Sequence, residues 1–250
     1  MIYLIKAELF KMSKKKYNYI LLAICTIMII FTIATMRNIY ISGYPITKKT
    51  LFEFMPITFI IITTGIVFFL PNLSEEYKNN TIKNSIIMGI SKRKILLSKF
   101  ISSTIILLIF AIVCLTVLLF SSLILEPGVD FSNKDILFFL FKFLVSFPTF
   151  TAALSIIYLL MIVIRNDILV GIIFYYGIIQ IPFIVTIIEK LFSFNLGVIN
   201  KFIIISNLSL LLNNNFFIED YLLILIVGFF YTVGILYIAL TVFNNQNFNR

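Results

Sequence analysis

The charged side chains that could carry chemistry are concentrated in residues 71–100 of this 250-residue chain. The stretch holds six of the twenty Lys and Arg residues and the carboxylate pair Glu75–Glu76. Paired carboxylates can serve as acid and base, but no partner group for such a reaction accompanies them. The chain has no His, which excludes His-dependent metal sites and Ser–His–Asp catalysis. It also lacks the phosphate-binding GxxxxGK[ST] motif. We therefore predict no catalytic residue, no metal site and no cofactor on this chain.

The composition is that of a membrane protein. Hydrophobic residues make up 61% and charged residues 12% of the chain, whereas soluble domains are about half apolar and about a quarter charged. Cys25 and Cys114 each lie within an apolar run, so we interpret them as small buried hydrophobes. The net charge is +9, but no basic and aromatic patch lies outside the membrane flanks, which argues against nucleic-acid binding.

Apolar segments predict an all-α membrane protein of six transmembrane helices, forming one transmembrane domain over residues 1–250. Residues 1–16 precede the first span, and Ile2, Ile5 and Leu9 recur there at helical spacing, as expected for an amphipathic helix in the membrane interface. The alternative is a basic flank that only sets topology. The six predicted spans are residues 17–35, 54–70, 101–125, 143–164, 168–188 and 221–243.

Residues 189–220 are apolar only in patches. They are too interrupted for a clear crossing, so we predict an extracellular segment with one or two re-entrant or interfacial helices before the sixth span. A seventh crossing is the alternative.

The distribution of Lys and Arg predicts the orientation. With the N-terminus inside, the inner segments hold 13 of these residues and the outer loops hold 7. Both termini and residues 71–100 are then cytoplasmic. An abundance of Ile, Phe, Asn and Lys without Trp is typical of an AT-rich bacterial genome, so we expect a bacterial cytoplasmic membrane.

Residues 71–100 have the pattern of a short amphipathic helix. From Glu75 onward, Tyr77, Ile82, Ile86 and Ile90 share roughly one helical face, and Gly89 allows a break. Ser91 can then cap a helix that continues into the third span. A helix held beneath the membrane could fit a groove on a soluble subunit and transmit its motion. The alternative is a positive loop that only fixes topology.

This layout resembles the membrane subunits of ABC exporters of the ABC type-2 permease family. The resemblance rests on the basic N-terminal helix, on Glu76 and Thr81, on Ser91–Lys92–Arg93, and on Lys99 at the next span. The family's Gly before Thr is Asn80 here. By layout the resemblance covers the whole chain, and by motif it covers about 30 residues.

The resemblance implies a separate cytoplasmic ABC ATPase, which binds ATP and Mg, and a second permease subunit, identical or related, within the membrane lipids. Residues 71–100 would contain the coupling helix, and the second and fifth spans would line the pathway. For each single pathway residue, ordinary helix packing is the alternative. The residues implied for coupling are Glu75, Glu76, Thr81, Ile82, Lys83, Ile86, Ser91 and Arg93, and those implied for the pathway are Thr63, Thr64, Tyr175, Tyr176 and Gln180.

The apolar, weakly polar pathway suits an amphipathic peptide or a lipid-like cargo. Small permeases of this family often serve antimicrobial-peptide immunity or export of peptide toxins, which the resemblance makes an expectation here. An ATP-independent carrier or channel is the main alternative, and a non-transporting scaffold or sensor is another. The absence of ionisable residues at mid-span argues against ion coupling.

Overall fold

The computed structural model of the chain describes residues 1–38, 76–77, 79, 81–123, 125, 132–192, 201–211 and 218–246. These residues are almost entirely helical, and no strand occurs among them. The predicted second span, residues 54–70, lies outside the described residues. The helices are α1 (Ile2–Ser13), α2 (Lys16–Asn38), α3 (Thr81–Ile87), α4 (Lys92–Ser122), α5 (Asn133–Ile164), α6 (Asp167–Phe174), α7 (Ile181–Phe192), α8 (Ile204–Leu210) and α9 (Ile218–Asn245), with a π-helical turn at Tyr175–Ile179 between α6 and α7.

Among the described residues, five helical segments are long and apolar enough to cross a membrane, which makes the chain a multi-pass membrane protein. These segments are α2, α4, α5, the continuous stretch from α6 to α7, and α9. They overlap five of the six predicted spans. The all-helical class is therefore confirmed, and the count of six stays a prediction.

Two of these helices begin well before their apolar segments, because polar residues start them. Ser91 occupies the N-cap position of α4 with extended backbone angles, and its side chain makes no capping hydrogen bond. Ser132 and Asp135 form a capping box at the start of α5, in which Asp135 accepts a 2.8 Å hydrogen bond from the Ser132 amide. The three-residue spacing of this pair in the sequence is typical of a helix start and lies before the predicted fourth span.

The contacts between helices give the direction of each one. Lys99, near the start of α4, lies against Glu8 of α1, and Leu22 of α2 shares a groove with Ile109, further along α4. The helices α2 and α4 therefore leave the same end of the bundle in the same direction. We call this end the basal end. Tyr158 of α5 hydrogen-bonds to the Lys99 carbonyl, so α5 runs back toward the basal end.

The last helix also ends there. Thr232 of α9 lies 3.1 Å from Thr151 of α5 between their hydroxyl oxygens, and Gln246, just beyond α9, donates to the Ile162 carbonyl. The two helices are thus parallel, and both finish at the basal end. The centre of the bundle is α5, whose Phe150 and Leu154 are fully buried.

The fifth predicted span is interrupted. The π-helical turn at Tyr175–Ile179 separates α6 from α7, and Pro182 is the second residue of α7. Proline lacks the amide hydrogen that a continuous helix would use, so the backbone pattern changes before it. After the interruption, the short helix α8 packs against α5 and α9, within the segment predicted to be re-entrant or interfacial.

The closest crossing of α5 and α9 depends on Gly228. A Cβ atom at this position would lie 2.8 Å from both the carbonyl carbon and Cβ of Pro148. We therefore expect Gly228→Ala to destabilise the protein by about 1–3 kcal/mol through overpacking, measured as a lower thermal unfolding midpoint in detergent.

Gly234, two turns further along α9, is the matched control. A Cβ atom there meets nothing within 4 Å, so Gly234→Ala should leave stability unchanged or raise it by about 0.5–1 kcal/mol. Equal midpoints for the two variants would contradict the proposed close crossing.

Candidate functional site

Four charged side chains from three separate segments meet at the basal end. Lys99 of α4 donates to Glu8 of α1, with 2.7 Å between Nζ and Oε1, and it also pairs with Glu76. Lys11 of α1 pairs with the other carboxylate oxygen of Glu76. Lys99 and Glu76 are each only 5% exposed. We call these four residues the basal charge cluster; two carboxylates and two ammonium groups balance within it.

Burial makes this pairing necessary. A buried charge without a partner is strongly unfavourable, whereas opposite charges with hydrogen bonds offset most of their desolvation cost. The basal charge cluster therefore fixes the segment at Glu76 against α1 and α4.

Tyr158 of α5 extends the cluster toward the centre of the bundle. Its buried hydroxyl donates to the Lys99 carbonyl at 3.0 Å and is within hydrogen-bond distance of the Ser103 hydroxyl. The Tyr158 ring packs edge-on against Phe100, with centroids 5.6 Å apart. A displacement at Glu76 is thus connected through Lys99 to two spans.

A second group of contacts ties residues 76–92 to the end of the chain. Lys92 donates to the carbonyls of Asn244 and Gln246 at 2.9 Å and 2.6 Å. These carbonyls lie at the end of α9, where a helix has no amide partners for its last carbonyls. Gln246 in turn donates to the Ile162 carbonyl of α5 at 2.8 Å.

Tyr77 joins this group from the loop side. Its hydroxyl donates to the side-chain carbonyl of Gln246 at 3.3 Å, and the Arg165 guanidinium lies 5.2 Å from its ring centroid. Burial raises the pKa of Tyr77 and Arg165 lowers it by less, so the phenol stays protonated and can donate at neutral pH. Arg165 itself ends α5 in the left-handed conformation, with φ of 56°.

The short helix α3 presents two different faces. Ile82 is 2% exposed, and Ile86 packs against the core. In contrast, Ile87 and Met88 are 73% and 80% exposed. Gly89 follows with φ of 84°, a conformation that suits glycine and turns the chain toward α4. The apolar face recognised in the sequence thus faces the protein, and the exposed apolar tip is Ile87–Met88.

The other predicted coupling residues lie around this tip. Thr81 donates from its hydroxyl to the Glu76 carbonyl at 3.4 Å, Lys83 is half-buried, and Arg93 is exposed. Glu75 lies outside the described residues. The structure therefore brings Glu76 and Thr81 into contact, and the roles of these residues in coupling stay predictions.

The predicted pathway residues belong to a different part of the chain. Tyr175 and Tyr176 lie in the π-helical turn, are exposed, and pack edge-on with centroids 5.2 Å apart. Gln180 is half-buried directly after the turn. Thr63 and Thr64 lie outside the described residues. π-Helical turns are frequent at functional sites, but an exposed pair of tyrosines is also compatible with ordinary helix packing.

Several residues of the basal end were not among the predicted site residues, namely Glu8, Lys11, Lys92, Tyr158 and Gln246. Glu8 carried a usable signal, because it is the only acidic residue before Glu53 in a basic segment. Within the described part of the chain, no group of three His, Cys, Asp or Glu side chains could hold a metal ion.

Comparison with known families shows which family the chain is similar to. The family described as "ABC-2 family transporter protein" matches residues 4–180, which is more than two thirds of the chain. The match includes α1, the basal charge cluster, α3 and the π-helical turn. No individual curated protein matches the chain at a significant level.

Proposed function

Because the chain belongs to the ABC-2 family of transporter proteins, we propose that it is the permease subunit of an ATP-driven exporter whose separate ATPase binds at the basal end. ABC permease membrane subunits are in general non-catalytic and work with an ABC ATPase. The observation that carries the proposal is the exposed tip Ile87–Met88 at the end of α3, whose first residue, Thr81, hydrogen-bonds to Glu76 of the basal charge cluster. A soluble subunit that binds this tip could displace it, and the contacts of Glu76 would transmit the displacement to α1, α4 and α5.

The same contacts support six spans with both termini on one side. α2 leads away from the basal end, and Glu76 lies at the basal end again. The chain must therefore cross back between α2 and Glu76, as the predicted second span would. α5, α6 and α9 also have one terminus at this end. The inner segments counted from the sequence hold 13 of the 20 basic residues, and their described residues Lys11, Lys99 and Arg165 lie at this end. We place this end in the bacterial cytoplasm.

Cysteine labelling tests this orientation. In a background without Cys25 and Cys114, we expect Lys134→Cys to react with a membrane-impermeant maleimide in whole cells, and Lys94→Cys to react only after permeabilisation. Both positions are exposed, so unequal reactivity would reflect the side of the membrane. Labelling of Lys94→Cys from outside would contradict the orientation.

The proposed cargo is an amphipathic molecule, such as a peptide toxin, an antimicrobial peptide or a lipid-like compound. Tyr175 and Tyr176 support this choice, because each combines a large apolar ring with one hydroxyl. They lie on the stretch from α6 to α7, whose side chains are largely exposed in the single chain. A second permease subunit facing this surface would enclose a pathway of the same weakly polar character.

Reconstitution tests the function. We expect the chain to co-purify with a P-loop ATPase encoded beside it, and vesicles containing both to move an amphipathic peptide only when ATP is supplied. The matched control is the same vesicle with an ATPase that binds but does not hydrolyse ATP. Equal flux through the chain without the ATPase would contradict the proposal and favour an ATP-independent carrier or channel.

A further inference from the structure

An apolar groove lies between α1, the first turns of α2, and α4. Leu9 and Phe10 of α1, Leu22 of α2 and Ile109 of α4 contribute to its walls. Its volume is about 440 Å³, within the range of small-molecule sites, ~300–1,000 Å³. A water molecule takes up ~30 Å³ of the liquid, so the groove has room for on the order of a dozen atoms of that size. This is the room that one acyl chain of a lipid needs.

Two polar side chains of the groove donate hydrogen bonds to backbone carbonyls at the end of α1. The side-chain amide of Asn18 donates to the Met12 carbonyl at 2.7 Å, and the Tyr19 hydroxyl donates to the Ser13 carbonyl at 2.8 Å. Both hydrogen bonds lie next to the end of α1, and we call this part of the groove its polar end. The remaining wall presents hydrocarbon, so a polar ligand would find little to bind within it.

A run of three lysines borders this polar end. Lys14, Lys15 and Lys16 connect α1 to α2, and the Lys14 ammonium lies 5.4 Å from the ring centroid of Phe10, which lines the groove. Lys14 and Lys16 are exposed. No acidic residue occurs between Leu9 and Asn38, so the sequence around these lysines is basic.

The position of the groove at the start of α2 matches the two parts of a lipid. α2 begins at Lys16 and is long and apolar enough to cross a membrane, so its first residues mark the membrane interface. Lysines at that level face the phosphate layer, and the apolar wall beyond them faces the acyl chains. We propose that the groove is a binding site for one anionic phospholipid, with an acyl chain against Ile109 and Leu22 and the headgroup phosphate on Lys14–Lys16. This assignment does not depend on the proposed ATPase partner.

Native mass spectrometry of the full-length chain tests the site. The protein is equilibrated in detergent with equal amounts of phosphatidylglycerol and phosphatidylcholine, and retained lipid is counted per chain. We expect one retained phosphatidylglycerol. Replacing Lys14, Lys15 and Lys16 together by Gln should reduce its retention about tenfold or more. The matched control replaces Lys134, Lys190 and Lys201, which are also exposed, and should retain the lipid.

A second pair of variants tests the groove itself. Ile109→Trp should fill it and abolish retention, whereas Ile112→Trp, one turn further along α4 and similarly exposed, should not. Unchanged retention in Ile109→Trp, or equal retention of both lipids by the parent chain, would overturn the proposal. A disulfide between two chains through a single Cys at position 109, with no retained lipid, would assign the groove to a second copy and overturn it as well.

Discussion

Replacing Lys99 by Met should destabilise the protein more than any other single change in the described residues that we consider. The buried Glu76 pairs with Lys11 and Lys99, and the substitution removes the more deeply buried of these two cations. It also removes the cation that pairs with Glu8. Removing one member of a buried ion pair typically costs about 3–5 kcal/mol, because the remaining charge is desolvated without compensation. The expected result is a large fall in the thermal unfolding midpoint in detergent, with loss of monodisperse protein in size-exclusion chromatography.

Two variants separate the charge from the side-chain volume. Lys94→Met removes the same charge from an exposed position of the same helix and should have little effect. Adding Glu76→Gln and Glu8→Gln to Lys99→Met removes the orphaned carboxylates and should recover much of the lost stability. If Lys99→Met unfolds at the midpoint of the parent protein, the basal charge cluster does not hold these segments together.

The helices themselves were largely predictable from the sequence, because long uncharged apolar runs leave few alternatives in lipid. The boundaries were less so. The first turns of α4 and α5 contain charged residues, such as Lys92 and Asp135, which a count of apolar residues excludes. These turns extend the helices beyond the apolar segments. The start of α4 was predictable from Ser91, which occupies the N-cap position, whereas the start of α5 is marked by the capping box of Ser132 and Asp135.

The basal charge cluster could not be predicted, for a physical reason. Lys11 and Lys14 are chemically identical and three residues apart, yet Lys11 pairs with Glu76 and Lys14 lies over Phe10. The choice depends on the rotation of α1 against α4, which is set by packing between segments whose paired residues Glu8 and Lys99 are 91 residues apart in the chain. A helical pattern in one segment contains no information about that rotation.

The two faces of α3 show a related limit. The spacing of Tyr77, Ile82 and Ile86 correctly indicates an apolar face, but periodicity does not tell which surface covers it. In the structure the protein's own core covers this face. The exposed residues Ile87 and Met88 fall next to Gly89, where the helical pattern ends, and so they did not stand out as a contact surface.

The tip of α3 should carry the interaction with the proposed ATPase. Ile87 and Met88 are the two large apolar side chains at the basal end that protrude from α3, and apolar anchors that enter a pocket of a partner contribute most to binding. We expect Ile87→Asp and Met88→Asp each to weaken ATPase binding by about 30-fold, corresponding to the ~2 kcal/mol of a binding hot spot. ATP-dependent transport in vesicles should fall in parallel, measured at a fixed amount of inserted permease.

Asn84→Asp is the matched control, because it adds the same charge at an exposed position of the same helix. It should bind the ATPase with nearly the affinity of the parent chain. Since Ile87 and Met88 are exposed, their variants should also keep the thermal unfolding midpoint of the parent, in contrast to Lys99→Met. Full ATPase binding by Ile87→Asp and Met88→Asp would place the contact elsewhere on the basal end. A lower unfolding midpoint that accompanies the loss of binding would show that the tip stabilises the fold. We expect the Ile87→Asp and Met88→Asp variants to fold normally and to lose ATPase binding. That result would identify the tip as the surface that contacts the ATPase, and it would distinguish the tip from the basal charge cluster, which holds the fold together.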